Sequence, residues 1–294
     1  MTGSDNGHGK GTGKRPGRPA GRPGGPRRRD DVRSGGKPFR RGPSPSGGFN
    51  RRREAPPPGE HFLYGLHTVG EALANPRRTL HRLLATPNAL ARLGERVPRT
   101  LKVEEANVGQ IGRITGPEAV HQGLILFCDP LPEPSHDDLA RMRRLVALDQ
   151  VSDPHNVGAI LRSCAAFAVD ALIMTSRHSP QETAVLAKSA SGALDHVPLM
   201  RVQNMVRTLE ALRESGMTLV GLDSEAGETL ETVMPEGPVC LVLGAEGKGL
   251  RQSTRAACSH LARLDMPGTI VSLNVSNAAA LSLYICDRKQ QSGG

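Results

Sequence analysis

Short apolar runs alternate with helix-patterned segments along the second half of the chain. The runs are rich in Leu, Val and Ile, and polar or glycine-containing turns separate them from the helical segments. Predicted strands lie at Leu145–Leu148, Ala171–Thr175, Val197–Met200 and Thr218–Leu222. Predicted helices run from a cap at Asn156 to Phe167, over Glu182–Ser189 and over Asn204–Ser215. Strands that alternate with helices predict an α/β fold whose parallel sheet is buried on both faces.

The same pattern continues through Leu241–Tyr284, where two strands each lead into a polar loop and then into a helix. The strand Cys240–Leu243 ends at the glycine-rich loop Gly244–Gly249, and the strand His260–Met266 precedes a helix that starts at Val275. Ligands of open α/β sheets bind where strand ends meet helix starts, because backbone N–H groups are available there. We therefore predict one pocket lined by both loops.

Polar residues are concentrated in these two loops. Glu246 stands between glycines, and four polar residues open the last helix, namely Ser272, Asn274, Ser276 and Asn277. One Ser or Asn at a helix start is explained by capping, but four exceed what capping requires. The excess favours functional side chains at the rim of the predicted pocket.

A smaller α/β unit precedes this part of the chain. Its predicted elements are a helix Leu66–Ala74, a strand Leu80–Ala85, a helix capped by Asn88 that runs to Arg96, a helix Val108–Ile114 and a strand His121–Cys128. Three prolines between residues 130 and 134 predict a stiff linker. We expect a tail over 1–60, a small domain over 61–129, a linker over 130–143 and a large domain over 144–290.

The excess positive charge lies in the tail. Residues 1–60 hold 15 Lys/Arg and 5 Asp/Glu, so their net charge is +10 within a chain total of +9. The same residues include 25 Gly or Pro, a composition that predicts disorder. Arginine runs such as Arg27–Arg29 suit the phosphate backbone of RNA without sequence preference, although a merely solubilising tail has the same composition.

The composition also excludes several classes of protein. The five cysteines form no C-x-x-C pair, which argues against disulfides and zinc and predicts a reducing, cytoplasmic location. No apolar run is long enough for a membrane span, and no secretory signal is present. Aromatic residues make up 2% of the chain, which counts against a base-stacking RNA module.

The candidate chemistry lies in three segments, 149–162, 244–249 and 272–277. The glycine spacing fits neither a dinucleotide-binding loop nor a P-loop, and no residues stand at metal-ligand spacing. His155 could act as a base, but a loop histidine beside a proline is more often structural. Arg162 lies in an apolar helix without an evident acidic partner, so we expect it to be buried and to bind an external anion.

Three motifs resemble those of the SpoU-type (TrmH-like) RNA ribose 2′-O-methyltransferases of the SPOUT class. They are DPHNVGAILRSCAAF at 153–167, LVLGAEGKGL at 241–250 and LDMPGTIVSLNVSNAAALSLY at 264–284. The small domain, with FLYGLHTVGEAL at 62–73 and VHQGLIL at 120–126, resembles the L30e-like substrate-binding domain of the branch that methylates a guanosine in large-subunit (23S) ribosomal RNA. Asp265 is a departure, because the family motif usually has Pro at this position.

The resemblance implies a parallel sheet threaded as a deep trefoil knot and a homodimer whose interface completes the site. It implies S-adenosylmethionine as the cofactor, held mainly by backbone around Gly244, Leu264 and Leu273. The residues that match the catalytic motif positions of the family are Asn156, Arg162, Glu246, Ser272 and Asn274.

Two other functions remain open from the sequence. A tRNA guanosine 2′-O-methyltransferase belongs to the same class, although the small domain favours ribosomal RNA. A non-catalytic RNA-binding protein could retain the same fold, although all five polar site positions are filled. Neither DNA nor a membrane is an expected partner.

Overall fold

Two β-sheets organise the chain in the computed structural model, which describes residues 61–177, 183–269 and 272–292. The predicted disorder of residues 1–60 falls outside the described residues. Both sheets contribute to one continuous apolar core, in which Leu63 and Val69 belong to the same cluster as Val157 and Leu186. None of the described helices combines the length and the apolar character needed to span a bilayer.

The smaller sheet has four strands, and its central pair is antiparallel. In spatial order the strands are β1 (Phe62–Tyr64), β4 (Leu124–Cys128), β2 (Leu80–Ala85) and β3 (Lys102–Glu105). Its helices are α1 (Leu66–Ala74), α2 (Pro87–Leu93) and α3 (Val108–Thr115). The predicted bounds of α1 and β2 are confirmed. The predicted cap Asn88 is wrong, because the Thr86 hydroxyl accepts the Ala89 N–H at 3.3 Å.

The larger sheet has seven strands, and every neighbouring pair is parallel, as the alternating pattern predicts. In spatial order they are β7 (Leu199–Val202), β6 (Ala171–Thr175), β5 (Arg144–Asp149), β10 (Val239–Gly244), β8 (Thr218–Leu222), β11 (His260–Arg263) and β9 (Glu228–Thr229). The carboxyl ends of β8, β10 and β11 are therefore adjacent. The strand predicted over His260–Met266 ends early, so Leu264 and Met266 lie in the loop.

Helices connect the strands of the larger sheet. They are α4 (His136–Leu139), α5 (Pro154–Ala166), α6 (Ala184–Ala190), α7 (Met205–Glu214), α8 (Leu230–Val233), α9 (Gln252–Ala257) and α10 (Val275–Ser292). The cap of α5 is Asp153, whose carboxylate accepts the His155 N–H at 2.9 Å, so the prediction of Asn156 as the cap is wrong. A Cβ at Gly158 would collide with Ser189 and the Ala190 backbone, so glycine allows α5 and α6 to pack closely.

A buried ion pair joins the two sheets. The Arg78 Nε donates to the Asp195 carboxylate at 2.8 Å, and the two side chains are 0% and 2% exposed. Asn75 donates to the same carboxylate and to the Asp195 carbonyl. Both charges are removed from water, so the pair requires the fixed geometry that these hydrogen bonds supply.

Candidate active site

A cavity of about 280 Å³ opens at the carboxyl ends of β8, β10 and β11. Its walls come from the loops that follow these three strands and from the first turn of α10. The lining residues are Leu222, Asp223, Ser224, Leu243, Gly244, Ala245, Glu246, Gly247, Gly249, Ala262, Leu264, Met266, Ser272, Leu273, Val275 and Ala278. The cavity lies where parallel sheets bind ligands, because strand ends and helix starts expose backbone groups there.

Five of the eight predicted site residues line this cavity. Gly244, Leu264 and Leu273, which are the predicted cofactor contacts, all lie in its wall. Glu246 and Ser272 lie there as well. The prediction that the two motif loops form one pocket is therefore confirmed, whereas the roles of the individual residues stay predictions.

Asn274 connects the cavity rim to two other loops. Its Nδ2 donates to Asn156 Oδ1 at 3.1 Å and to Glu246 Oε2 at 3.2 Å. Its Oδ1 accepts hydrogen bonds from the Ser276 N–H at 2.9 Å and from the Ser276 hydroxyl at 2.6 Å. One amide therefore brings side chains from all three predicted polar segments within hydrogen-bonding distance of one another.

The glycine-rich loop is attached to the β5 end by an ion pair. Asp149, whose side chain is fully buried, accepts hydrogen bonds from Arg251 Nε at 2.9 Å and from the Arg251 backbone N–H at 3.2 Å. The Arg251 Nη2 lies 2.7 Å from the same carboxylate. Because Arg251 lies two residues after the loop that carries Glu246, the pair sets the distance between this loop and the loop that leads to Asn156.

Gly244 allows the glycine-rich loop to fold back on itself. A Cβ at this position would overlap the carbonyl group of Gly249 and the Leu250 nitrogen. The loop is closed by a hydrogen bond from the Gly249 N–H to the Ala245 carbonyl at 2.8 Å. Any larger residue at position 244 therefore has to displace backbone that lines the cavity.

Arg162 does not line the cavity, and it is exposed. The expectation that it is buried is wrong, because the apolar residues of α5 occupy the opposite face of the helix. Exposed positions recur along α5 at His155, Arg162 and Ala166, spaced as one helical face. Arg162 forms no ion pair with any residue that the structure describes, so its guanidinium is available to an external anion.

The charge of the cavity limits what it can hold. Among the described residues, the lining includes two carboxylates, Asp223 and Glu246, but no Lys, Arg or His. Such a wall disfavours a phosphate-bearing nucleotide and suits a ligand that carries positive charge. S-adenosylmethionine, with its sulfonium and ammonium groups, fits this donor set.

The loop after β8 also contributes to the cavity, which was not predicted from the sequence. Asp223 and Ser224 follow the carboxyl end of this strand, and the Asp223 carboxylate is held by Arg255 Nη2 at 2.9 Å. Ligands of parallel sheets bind at the carboxyl ends of strands, and this rule identified the two motif loops. The same rule could have identified the polar pair after β8 from the sequence. Asp265, the departure from the family motif, has a side chain that is 74% exposed and lies outside the lining.

Comparisons with known proteins agree with this geometry. Residues 143–284 match the sequence profile of the SpoU rRNA Methylase family. Residues 62–134 match the profile described as RNA 2′-O ribose methyltransferase substrate binding. The two matched ranges correspond to the larger and the smaller sheet.

Relatives of known function are similar over most of the chain. The 23S rRNA (guanosine-2′-O-)-methyltransferase RlmB of Pseudomonas aeruginosa is 38% identical over 239 residues, which cover 76% of this chain and 94% of the relative. The protein of the same name from Photorhabdus laumondii is 36% identical over 248 residues, with coverages of 79% and 99%.

A solved structure shows the same architecture. The SpoU methyltransferase AviRb from Streptomyces viridochromogenes has a TM-score of 0.67 and 26% identity, and the match covers 80% of this chain and 91% of that chain. The structure of AviRb with its cofactor AdoMet has a TM-score of 0.69 at 24% identity, over 80% and 92% of the two chains.

Proposed function

The chain belongs to the SpoU rRNA methylase family, and from this premise we propose that it methylates the ribose 2′-hydroxyl of a guanosine in 23S ribosomal RNA. S-adenosylmethionine is the proposed methyl donor. The substrate assignment is supported by the relatives from Pseudomonas aeruginosa and Photorhabdus laumondii, whose names specify this reaction. The structural observation that carries the proposal is the Asn274 amide, which joins Asn156 and Glu246 at the rim of the cavity.

The proposed cofactor contacts are Gly244, Leu264 and Leu273, with Asp223 as an additional carboxylate. When bound, S-adenosylmethionine supplies an electrophilic methyl group on a sulfonium. The absence of a Cβ at Gly244 lets the glycine-rich loop pack on itself and form the cavity wall. Glu246 complements the positive charge of the ligand, and Asp223, which Arg255 holds, supplies a carboxylate acceptor. We also propose that the chain from β10 to α10 is threaded as a trefoil knot. An experimental structure with an unthreaded chain in this region would contradict the knot.

Catalysis is proposed to depend on positioning. Ser272 and Asn274 hold the ribose, and Glu246 organises the loops or polarises a proton acceptor. Arg162 binds the phosphate next to the reacting nucleotide and lowers the pKa of the 2′-hydroxyl electrostatically. A guanidinium is not deprotonated near neutral pH, so Arg162 is assigned this electrostatic role rather than that of a base. Orienting two reactants in this way can supply a large part of the rate.

The small domain over 61–129 is the proposed RNA-binding unit, and the domain over 144–290 is the proposed catalytic unit. We further propose a homodimer whose interface includes the exposed stripe of α10 formed by Asn277, Leu281, Tyr284 and Arg288. Leu281 and Tyr284 are 46% and 53% exposed, which is unusual for large apolar side chains. Tyr284 packs edge-on against Phe167 at the end of α5, so this stripe adjoins the exposed face that carries Arg162. Sedimentation that detects only monomers would contradict the dimer.

The proposed location is the cytoplasm. Cys128, Cys164, Cys240 and Cys286 are free and buried, and free cysteines are typical of a reducing compartment. Fractionation of cells that express a tagged chain would test this location, and recovery from an oxidising compartment would contradict it.

The decisive experiment compares the 2′-O-methylation of all RNA in cells with and without the gene. We expect the loss of one 2′-O-methylguanosine from 23S ribosomal RNA and its return with the wild-type gene. Loss of a methyl group from tRNA would identify the tRNA enzyme instead. Unchanged methylation, together with no binding of S-adenosylmethionine in calorimetry, would support the alternative that the chain is a non-catalytic RNA-binding protein.

A further inference from the structure

Lys188 holds a positive charge at the junction between the two sheets. It lies on α6, and its Nζ donates to Gln122 Oε1 at 3.0 Å. The same oxygen accepts the Leu66 N–H at the start of α1, also at 3.0 Å. No carboxylate among the described residues pairs with Lys188, although the side chain is only partly exposed. A partly buried ammonium whose described partner is neutral favours the binding of an anion.

The backbone around Lys188 is shaped to create this arrangement. Gln122 has a φ of 53° and is followed by Gly123 at 79°, and Gly65 at the start of α1 has a φ of 90°. A Cβ at Gly65 would lie 2.6 Å from the Lys188 Nζ, so the lysine occupies the space that a side chain would need. A non-glycine residue such as Gln122 rarely adopts the left-handed region, and such strained positions are concentrated at functional sites.

The junction is continuous with the candidate active site. Ser189, the neighbour of Lys188, has its hydroxyl 3.1 Å from His155 Nδ1. His155 is exposed at the start of α5, directly before Asn156, and Arg162 lies on the same exposed face two turns further along. Polar and basic groups therefore follow one another from the cavity rim to the smaller sheet. We define the junction surface as Gln122, His155, Lys188 and Ser189.

Two acidic groups near the junction surface, among the residues that the structure describes, already have partners. Asp153 caps α5 through the His155 N–H, and Glu71 on α1 binds His196 Nε2 at 2.9 Å. Burial lowers the pKa of Lys188, because desolvation disfavours the charged ammonium. A phosphate at this position would compensate that charge.

We propose that the junction surface binds the phosphate backbone of the RNA strand beside the methylated nucleotide, with Lys188 as the central contact. The proposal rests on the proposed function, because it assigns a path for the same RNA. It also gives the contact between the two sheets a role. The RNA strand runs from Asn274 and Asn156 over α5 and α6 to the start of α1. Both sheets must therefore keep their relative position for the protein to hold the RNA.

The test measures RNA binding as a function of salt. Fluorescence anisotropy with a labelled transcript of the methylated 23S region compares wild type with Lys188→Gln, Lys188→Arg and Lys102→Gln. Lys102 is the matched control, because its side chain is 71% exposed and its amine is neutralised by Glu104 at 2.7 Å. Calorimetric binding of S-adenosylhomocysteine is measured on each variant, and circular dichroism checks its folding.

Loss of one phosphate contact should reduce the slope of log K against log[salt] by about 1 and weaken binding about tenfold at low salt. We expect the smaller slope and the weaker RNA binding for Lys188→Gln only. Lys188→Arg should bind RNA like the wild type, and the affinity for S-adenosylhomocysteine should be unchanged in all variants. A Lys188→Gln slope equal to that of wild type would overturn the proposed role of the junction surface in RNA binding while leaving the proposed function intact. If the wild type binds neither RNA nor S-adenosylhomocysteine, both proposals fail.

Discussion

The guanidinium of Arg251 closes over the fully buried carboxylate of Asp149, with 2.7 Å between Nη2 and Oδ1. Asp149 ends β5, and Arg251 lies between the glycine-rich loop that follows β10 and the start of α9, so the pair joins the ends of two neighbouring strands at the edge where the cavity opens. Neither residue lines the cavity. The pair therefore acts on the site through the loop that it holds.

Removing Arg251 should destabilise the fold more than neutralising Asp149. A buried carboxylate that loses its partner costs about 3–5 kcal/mol, and the 43% exposure of the guanidinium reduces this to about 2 kcal/mol for Arg251→Ala. Asp149→Asn leaves no buried charge, so its cost should be smaller. Urea unfolding measures both, with the exposed Arg92→Ala as the control. Equal decreases in the free energy of unfolding for Arg251→Ala and Asp149→Asn would contradict the buried-charge explanation.

Replacement of Asn274 should impair methyl transfer rather than folding. Asn274→Ala removes the amide that joins Asn156 and Glu246, and we expect a roughly hundredfold fall in kcat, equal to about 2.7 kcal/mol. Ser276→Ala should have a smaller effect, because the Ser276 N–H still orients the Asn274 side chain. Single-turnover assays with labelled S-adenosylmethionine measure the rates. A full rate in Asn274→Ala would remove this amide from the proposed site.

Arg162 should be needed for transfer but not for cofactor binding. Because its side chain is exposed and makes no ion pair with a described residue, Arg162→Ala should change the free energy of unfolding by less than about 0.5 kcal/mol. We expect transfer to be abolished and S-adenosylmethionine affinity to be near normal. Exposed Arg207 on α7 provides the control variant Arg207→Ala. Persisting methylation in Arg162→Ala would exclude its proposed role.

Alanine should not be tolerated at Gly244. The added Cβ would overlap the Gly249 carbonyl, so Gly244→Ala should abolish cofactor binding and lower the unfolding midpoint. Gly268→Ala is the matched control, since a Cβ there meets no atom within 4 Å. Calorimetry and thermal unfolding give the two readouts. Normal cofactor affinity in Gly244→Ala would show that the loop can open without affecting the site.

The carboxylate of Asp223 should contribute to cofactor affinity. Asp223→Asn removes a carboxylate acceptor from the cavity wall and leaves Arg255 without its ion-pair partner, and we expect S-adenosylmethionine to bind about tenfold more weakly, equal to about 1.4 kcal/mol. Asp265→Asn, which alters a carboxylate outside the lining, should have no effect. If both variants bind like wild type, Asp223 does not contact the cofactor.

Residues that pack in regular strands and helices were predictable from the sequence. Ala171–Thr175 and Thr218–Leu222 have the predicted bounds, because a continuous apolar run in a parallel sheet has only one stable environment. The glycine and serine loops were recognisable as parts of one pocket for a related reason. They interrupt apolar runs with residues that neither packing nor capping explains.

The tertiary structure decided which polar groups meet and which face water. Asn156, Glu246 and Asn274 are far apart in sequence. They follow β5, β10 and β11, and only the order β5-β10-β8-β11 in the sheet brings them to one point. Arg162 is exposed because α5 turns its apolar face inward, and burial depends on which face packs rather than on how apolar the whole segment is. Lys188 on α6 illustrates the same limit. Its partner Gln122 lies in the turn before β4 of the smaller sheet, and long-range contacts leave no local trace in the sequence.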